Sequence, residues 1–245
     1  MKLIFPFDPI ERAKASERQV MSGEKRLYYK FRAAPYYGGI ATADAIGCSF
    51  LCAYCWNYGR NLNPSRFGRL YSSEEVASNL LAIARKGYFH LFRITGSEPI
   101  LGEASLGHLI KVIKIIFEIN PRSIFVLETN GLILGYSREM IEELKFKNLW
   151  VRIAIKGTGA ESFEKIAGAK KEFFHYPFLA LKELENQGVK SWPAVMRDVF
   201  TDAEIRSLRK ILDEYRIKAE LELEVLERYP FVLENMERRG VPLRI

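Results

Sequence analysis

With 245 residues, 48% of them hydrophobic, the chain is long enough to bury one sizeable core, and no linker or low-complexity stretch divides it. No run approaches the ~20 apolar residues of a membrane span, and Met1 to Phe7 is too short and too lightly apolar for a secretory leader, so a soluble, cytoplasmic protein with no membrane partner is expected. The net charge of +7 gathers partly in Arg12 to Arg32 and in Lys165 to Lys171, which reads as a solvated surface or as a seat for a polyanion such as RNA.

Short apolar runs then alternate with amphipathic stretches, the pattern of βα units around a parallel sheet. Tyr36 to Ile46 reads as the first strand. Ser72-Ser-Glu-Glu75 has capping-box spacing and opens a helix to about Arg85. His90 to Thr95 is a strand, Ala104 to Glu118 a helix, Ser123 to Leu127 a strand and Arg138 to Lys145 a helix. Asn148 to Ile155 is the fourth strand, followed by a short helix from Glu161 to Ala167. Phe174 to Gln187, Val189 to Met196, Asp202 to Tyr215 and Ile217 to Val225 continue as helix, strand, helix and strand. Six strands fall short of the eight of a closed barrel, so the expected fold is α/β, a partial (β/α)6 TIM-like barrel. Its core is expected over 36–226, with an N-terminal extension (1–35) packing on the barrel and a C-terminal extension (227–245).

All the cysteines lie together at the end of the first strand, as Cys48-Ser-Phe-Leu-Cys52-Ala-Tyr-Cys55. Three thiolates can hold three corners of a [4Fe–4S] cube and leave its fourth iron open to a small molecule. Structural zinc would need a fourth ligand from His90, His108 or His175, none of which is local. A disulfide would strand one thiol, and clustered cysteines without a secretory leader suit a reducing compartment. Buried apolar packing is the remaining alternative. A zinc-stabilised nucleic-acid-binding module is therefore the non-enzyme reading.

The cysteine spacing, with Tyr54 just before the last thiol, resembles the signature of the radical S-adenosylmethionine (SAM) superfamily. Gly96-Ser97-Glu98-Pro99, after the second strand, resembles the Gly-Gly-Glu-Pro loop that binds the methionine amino group of SAM in that superfamily. A glycine admits close backbone approach there, and an acidic side chain can receive an ammonium. Glu128-Thr129-Asn130-Gly131 and Ile155-Lys156-Gly157 resemble segments of the branch that activates glycyl-radical enzymes, in the manner of pyruvate formate-lyase activating enzyme. The similarity continues through Phe163 to Gly168, Leu179 to Leu184, Gly188 to Lys190 and Thr201 to Glu204. Where that branch carries an acidic residue two places before the strand lysine, this chain has Ala154. Arg197 stands as a displaced counterpart of the branch's strand arginine.

The resemblance implies a [4Fe–4S] cluster on Cys48, Cys52 and Cys55 that reductively cleaves SAM to methionine and a 5′-deoxyadenosyl radical, which takes a hydrogen from substrate. It implies that Gly96, Ser97 and Glu98 hold the SAM amino group, that Tyr54 lies near the adenine, that Glu128 and Asn130 border the ribose and that Lys156 faces the carboxylate. Lys156 and Arg197 are the candidate catalytic side chains. Trp56, Tyr58 and Arg60 read as shielding for the cluster or as ordinary packing. The absence of further cysteines argues against superfamily members with a second cysteine-ligated cluster and against methyl carriers that use a cysteine. An electron donor of ferredoxin or flavodoxin type is implied. The expected oxidoreductase acts on a protein or peptide, as activating enzymes do; RNA or a small metabolite is the alternative.

Overall fold

The computed structural model describes residues 4–244. Helix α1 (Pro9–Val20) is opened by Asp8, whose carboxylate accepts from the Ile10 and Glu11 amides, with proline at the first helical position. A short β1 (Met21–Ser22) turns into β2 (Lys25–Ala34), and β3 (Ile40–Ala45) follows antiparallel to it. After the cysteine loop come α2 (Tyr58–Leu62), β4 (Arg69–Tyr71) and α3 (Ser73–Gly87). The capping box at Ser72 and Glu75 forms as the sequence predicts. The rest alternates: β5 (Leu91–Thr95), α4 (Glu103–Ile119), β6 (Ile124–Thr129), α5 (Leu132–Tyr136), β7 (Leu149–Ile155), α6 (Ala160–Ala167), α7 (Tyr176–Asn186), β8 (Lys190–Met196), α8 (Asp202–Glu214) and β9 (Glu222–Glu224). Helix α9 (Pro230–Arg238) follows the last strand.

Strands β3, β5, β6, β7, β8 and β9 pair in that order, all parallel, and form the six-stranded set expected from the sequence. The sheet does not close: it continues past β3 into antiparallel β2 and ends at β9. One face buries Ala41, Ala43, Phe92, Ile94, Phe125, Leu127, Val151 and Ile153 in the main core with the helices. Alternation sends the intervening residues to the opposite, concave face. There Ala34, Ile40 and Val126 form a small apolar floor with Leu91, Trp150 and Trp192. Closer to the carboxyl ends of the strands that face turns polar.

Several expectations differ in detail. The first strand starts at Ile40, because Tyr36–Gly38 is a turn with Tyr37 at φ 55°. Arg138–Leu144 is a 3-10 turn rather than an α-helix. The last strand is only Glu222–Glu224, since the amides of Lys218 and Ala219 donate to the Glu185 carboxylate instead of to a neighbouring strand. The basic stretch from Arg12 to Arg32 is not a plain solvated face. Arg26 is fully buried, Arg32 pairs with Asp44, and Arg12 reaches the Asn61 carbonyl.

Candidate active site

The cysteine loop leaves β3 at its carboxyl end and is tied down from several directions. Gly47, at φ 95°, presses against the Val20 side chain and donates its amide to Asn61 Oδ1 at 3.1 Å. The loop runs along the end of α6, with the Leu51 amide on the Ala167 carbonyl at 3.0 Å and the Ala53 amide on that of Ile166 at 2.8 Å. From α9, Asn235 Nδ2 donates to the Ala53 carbonyl at 2.6 Å and Arg239 Nη1 to that of Leu51 at 3.0 Å. From α1, Ser16 Oγ donates to the Cys48 carbonyl at 3.2 Å.

Two of the three sulfurs receive protein donors. The Phe50 amide points at Cys48 Sγ at 3.4 Å, Asn130 Nδ2 approaches the same sulfur at 3.9 Å, and Asn61 Nδ2 approaches Cys55 Sγ at 3.8 Å. Burial pushes all three thiols up, that of Cys55 to about 12. Only a bound cation would hold them as thiolates near neutrality. Among the described residues, no three His, Cys, Asp or Glu side chains converge on a point that one ion could occupy. Tetrahedral zinc needs such convergence. A four-iron cube takes each thiolate at a different iron, so three sulfurs spaced along one loop, two of them with amide donors, fit that group.

Gly96, at φ 86°, turns the chain after β5 close to Asp44, where an added Cβ would stand 3.2 Å from the Asp44 Cβ. Asn57 Nδ2 donates to the Gly96 carbonyl at 2.9 Å and to Ser97 Oγ at 2.8 Å, and Ser97 Oγ donates to Asn61 Oδ1 at 2.7 Å. Asn57 and Asn61, buried and absent from the sequence expectations, thus bridge the cysteine loop to the Gly-Ser-Glu-Pro loop. Their spacing of four residues in a single-turn helix is the only trace in the sequence.

Glu98 is buried and points into the protein. Its carboxylate accepts from Thr129 Oγ1 at 2.6 Å, the Asn130 amide at 2.7 Å and the Ile100 amide at 3.1 Å. Arg26 clamps the same loop from outside, donating to the carbonyls of Pro99 and Glu98. The Glu98 carboxylate is thus spent on fastening this loop to the end of β6.

Asn130 likewise faces the cysteine loop: its Nδ2 donates to Ser49 Oγ at 2.9 Å and its Oδ1 accepts from the Leu132 amide at 3.0 Å. Glu128 lies on the concave face, paired with Arg93 at 2.7 Å and accepting from Thr95 Oγ1 at 2.7 Å and the Tyr37 hydroxyl at 3.2 Å. Burial alone would raise this carboxyl, but Arg93, Arg152 and the donors outweigh it and hold it below the usual range. Next to it Arg152 pairs with Glu222 at 2.9 Å and Glu224 at 3.4 Å, and Trp192 donates to Glu222.

Lys156 extends from the end of β7 over the Tyr54 ring, 5.6 Å from its centroid, and makes no ion pair among the described residues. Tyr54 itself is buried, its hydroxyl without a protein partner. Arg197 is spent locally, on the Phe200 carbonyl at 2.9 Å and the Asp202 carboxylate at 2.6 Å at the start of α8. Arg60 stacks 4.3 Å from the Tyr29 centroid and Trp56 meets Tyr29 edge-on, so these residues pack.

The sequence profile of the Radical SAM superfamily matches residues 45–212, from the end of β3 to α8. The chain belongs to the radical SAM superfamily. Its cofactors are a [4Fe–4S] cluster and SAM. Among curated proteins it is 27% identical over 121 residues to GTP 3′,8-cyclase of Microcystis aeruginosa, an alignment covering 49% of this chain and 35% of that one. The chain therefore spans about a third of the length of that relative. These relatives are cyclases rather than the activating enzymes that the motifs resemble.

Among solved structures, spore photoproduct lyase with bound AdoMet and dinucleoside spore photoproduct superposes with a TM-score of 0.62 at 16% identity, covering 88% of this chain and 65% of that one. Streptococcus suis SuiB bound to SAM gives 0.58 at 14% identity, covering 80% and 44%. These likenesses show the fold. Among the described residues, no helix is long and apolar enough to cross a membrane.

Proposed function

We propose that this radical SAM enzyme abstracts a hydrogen atom from a protein or peptide substrate presented to the open carboxyl-end rim of the sheet. The observation that carries the reading is the cysteine loop at the carboxyl end of β3, which holds all three cysteines and directs amide donors at the sulfurs of Cys48 and Cys55. When bound there, the cluster and SAM supply one-electron cleavage to a 5′-deoxyadenosyl radical. The chain's own residues bind, orient and shield. Cys48, Cys52 and Cys55 hold the iron, and the Gly96-Ser97 turn, braced by Asn57 through the Gly96 carbonyl and Ser97 Oγ, lies at the SAM amino group. Lys156, unpaired beside the cysteine loop, faces the carboxylate. Glu128 and the pairs around Arg93 and Arg152 line the wall toward the substrate.

A macromolecular substrate is supported by the unclosed sheet, and by exposed Leu223, Val225, Tyr229 and Phe231 on and just after its last strand, more apolar surface than a small metabolite requires. A second reading, a purine nucleotide substrate, is favoured by the cyclase relatives. A ferredoxin- or flavodoxin-type donor would deliver the electron in either case.

The test is anaerobic reconstitution with iron and sulfide, dithionite reduction with SAM, and chromatography for 5′-deoxyadenosine, with Cys52→Ala as control. Cluster-dependent product is expected, and full cleavage by Cys52→Ala would overturn the reading. Deuterium transfer into 5′-deoxyadenosine from labelled peptide libraries or from labelled GTP then separates the two substrate classes.

A further inference from the structure

Resting on the cluster-bearing reading above, we infer that Arg12 is a positioning residue whose half-buried charge, brought in by α1, raises the reduction potential of the cluster. Arg12 lies outside residues 45–212, the span matched by the superfamily profile. Arg12 and Ser16 stand one turn apart on α1, Ser16 reaching the cysteine loop and Arg12 the helix α2 just after it. Ser16 binds the Cys48 carbonyl, and Arg12 Nη2 donates at 2.7 Å to the carbonyl of Asn61, the residue whose amide approaches Cys55 Sγ. Helix α1 thus braces both the start of the cysteine loop and the helix that follows it.

Its other contacts leave the charge uncompensated. The ring of Phe7 lies 5.4 Å from the guanidinium carbon, and no carboxylate pairs with Arg12 among the described residues. Nε is buried with no partner. Burial lowers the Arg12 guanidinium, and Cys48, Tyr58 and Cys55 are the groups that work against that lowering, two of them the proposed iron ligands. A half-buried cation without a carboxylate partner, held against the segment that carries the cluster ligands, favours the state with one more electron. Net charge near the sulfurs is one of the ordinary controls on such potentials.

The experiment measures the midpoint of the reconstituted cluster in full-length protein, without SAM, by dye-mediated titration followed by electron paramagnetic resonance. Arg12→Met removes the charge and keeps most of the stem. Arg12→Gln also keeps a donor for the Asn61 carbonyl and covers the case in which the Met variant fails to hold iron. Arg12→Lys restores the charge. The expected result is a midpoint lowered in the Met and Gln variants by a factor of roughly ten or more in the reduced-to-oxidised ratio, ~59 mV for one electron, and returned most of the way by Lys. Neutral variants that load iron and sulfide fully but titrate with the wild-type midpoint overturn the inference, as does a Lys variant that matches Met. Wild-type protein that takes up no iron and sulfide overturns the cluster reading instead, so the two failures are told apart by metal analysis.

Discussion

Replacing Glu128 by alanine isolates the polar wall of the concave face. The carboxylate meets Arg93 at 2.7 Å, with the two side chains 14% and 6% exposed. Arg93 has Thr42 Oγ1 at 3.0 Å and the Tyr36 ring 4.8 Å away as its remaining partners, neither of them charged. Glu128→Ala therefore leaves a buried guanidinium unpaired and takes the acceptor from Thr95 and Tyr37. Breaking a buried pair from one side costs about 3–5 kcal/mol. The rim reaches water and Arg152 stands nearby, so ~3 kcal/mol is expected.

Urea unfolding followed by circular dichroism should show the midpoint falling with the slope unchanged. The double variant Arg93→Met with Glu128→Ala should be less destabilised than Glu128→Ala alone, because no orphan charge remains. A single-variant cost under ~1 kcal/mol, or an additive cycle, would refute the reasoning and make this an exposed-type pair. The sign with pH follows from the depressed carboxyl. Its contribution is present above the ordinary carboxylate range and is lost as pH falls through the lower folded value.

Lys156→Ala should weaken SAM binding to the loaded enzyme about tenfold, ~1.4 kcal/mol by calorimetry, with cluster content unchanged; unaltered affinity would remove Lys156 from the carboxylate site. His108 is held neutral, burial having lowered it from 6.5 to about 4, with Nδ1–H donating to the Glu24 carbonyl and Nε2 accepting from the Tyr28 hydroxyl. Stability should therefore be full above pH ~6.5 and decline toward pH ~4 by up to about 3 kcal/mol, and His108→Gln should flatten that slope in urea titrations. Asn235→Leu removes the donor to the Ala53 carbonyl and should lower iron retained per chain after gel filtration, while the free protein stays folded.

The strands of the parallel sheet were legible because each is a short apolar run buried on the core side, as Phe92 with Ile94 and Val151 with Ile153 show. The cysteines and the Gly96 turn were legible because their chemistry or φ admits few residue types. Strand β2 was not. Its sequence alternates around Arg26, which faces inward to bind carbonyls, so the charge pattern reads as surface. The roles of Glu98 and Asn130 in fastening loops to one another depend on which carbonyls and amides the fold brings near, and no spacing encodes that. Asn57 and Asn61 are hidden for the same reason: an amide side chain carries no signature until its partners are in place.

The residues that fasten the cysteine loop are far apart in the order of synthesis. Asn235 and Arg239 reach back across 182 and 188 positions to Ala53 and Leu51. A chain emerging from the ribosome at ordinary speed exposes its three thiols many seconds before α9 appears. During that interval the loop has its α1 anchor but not its final fastening. The loop therefore takes its final set of contacts only once the last helix has been made and has packed against it.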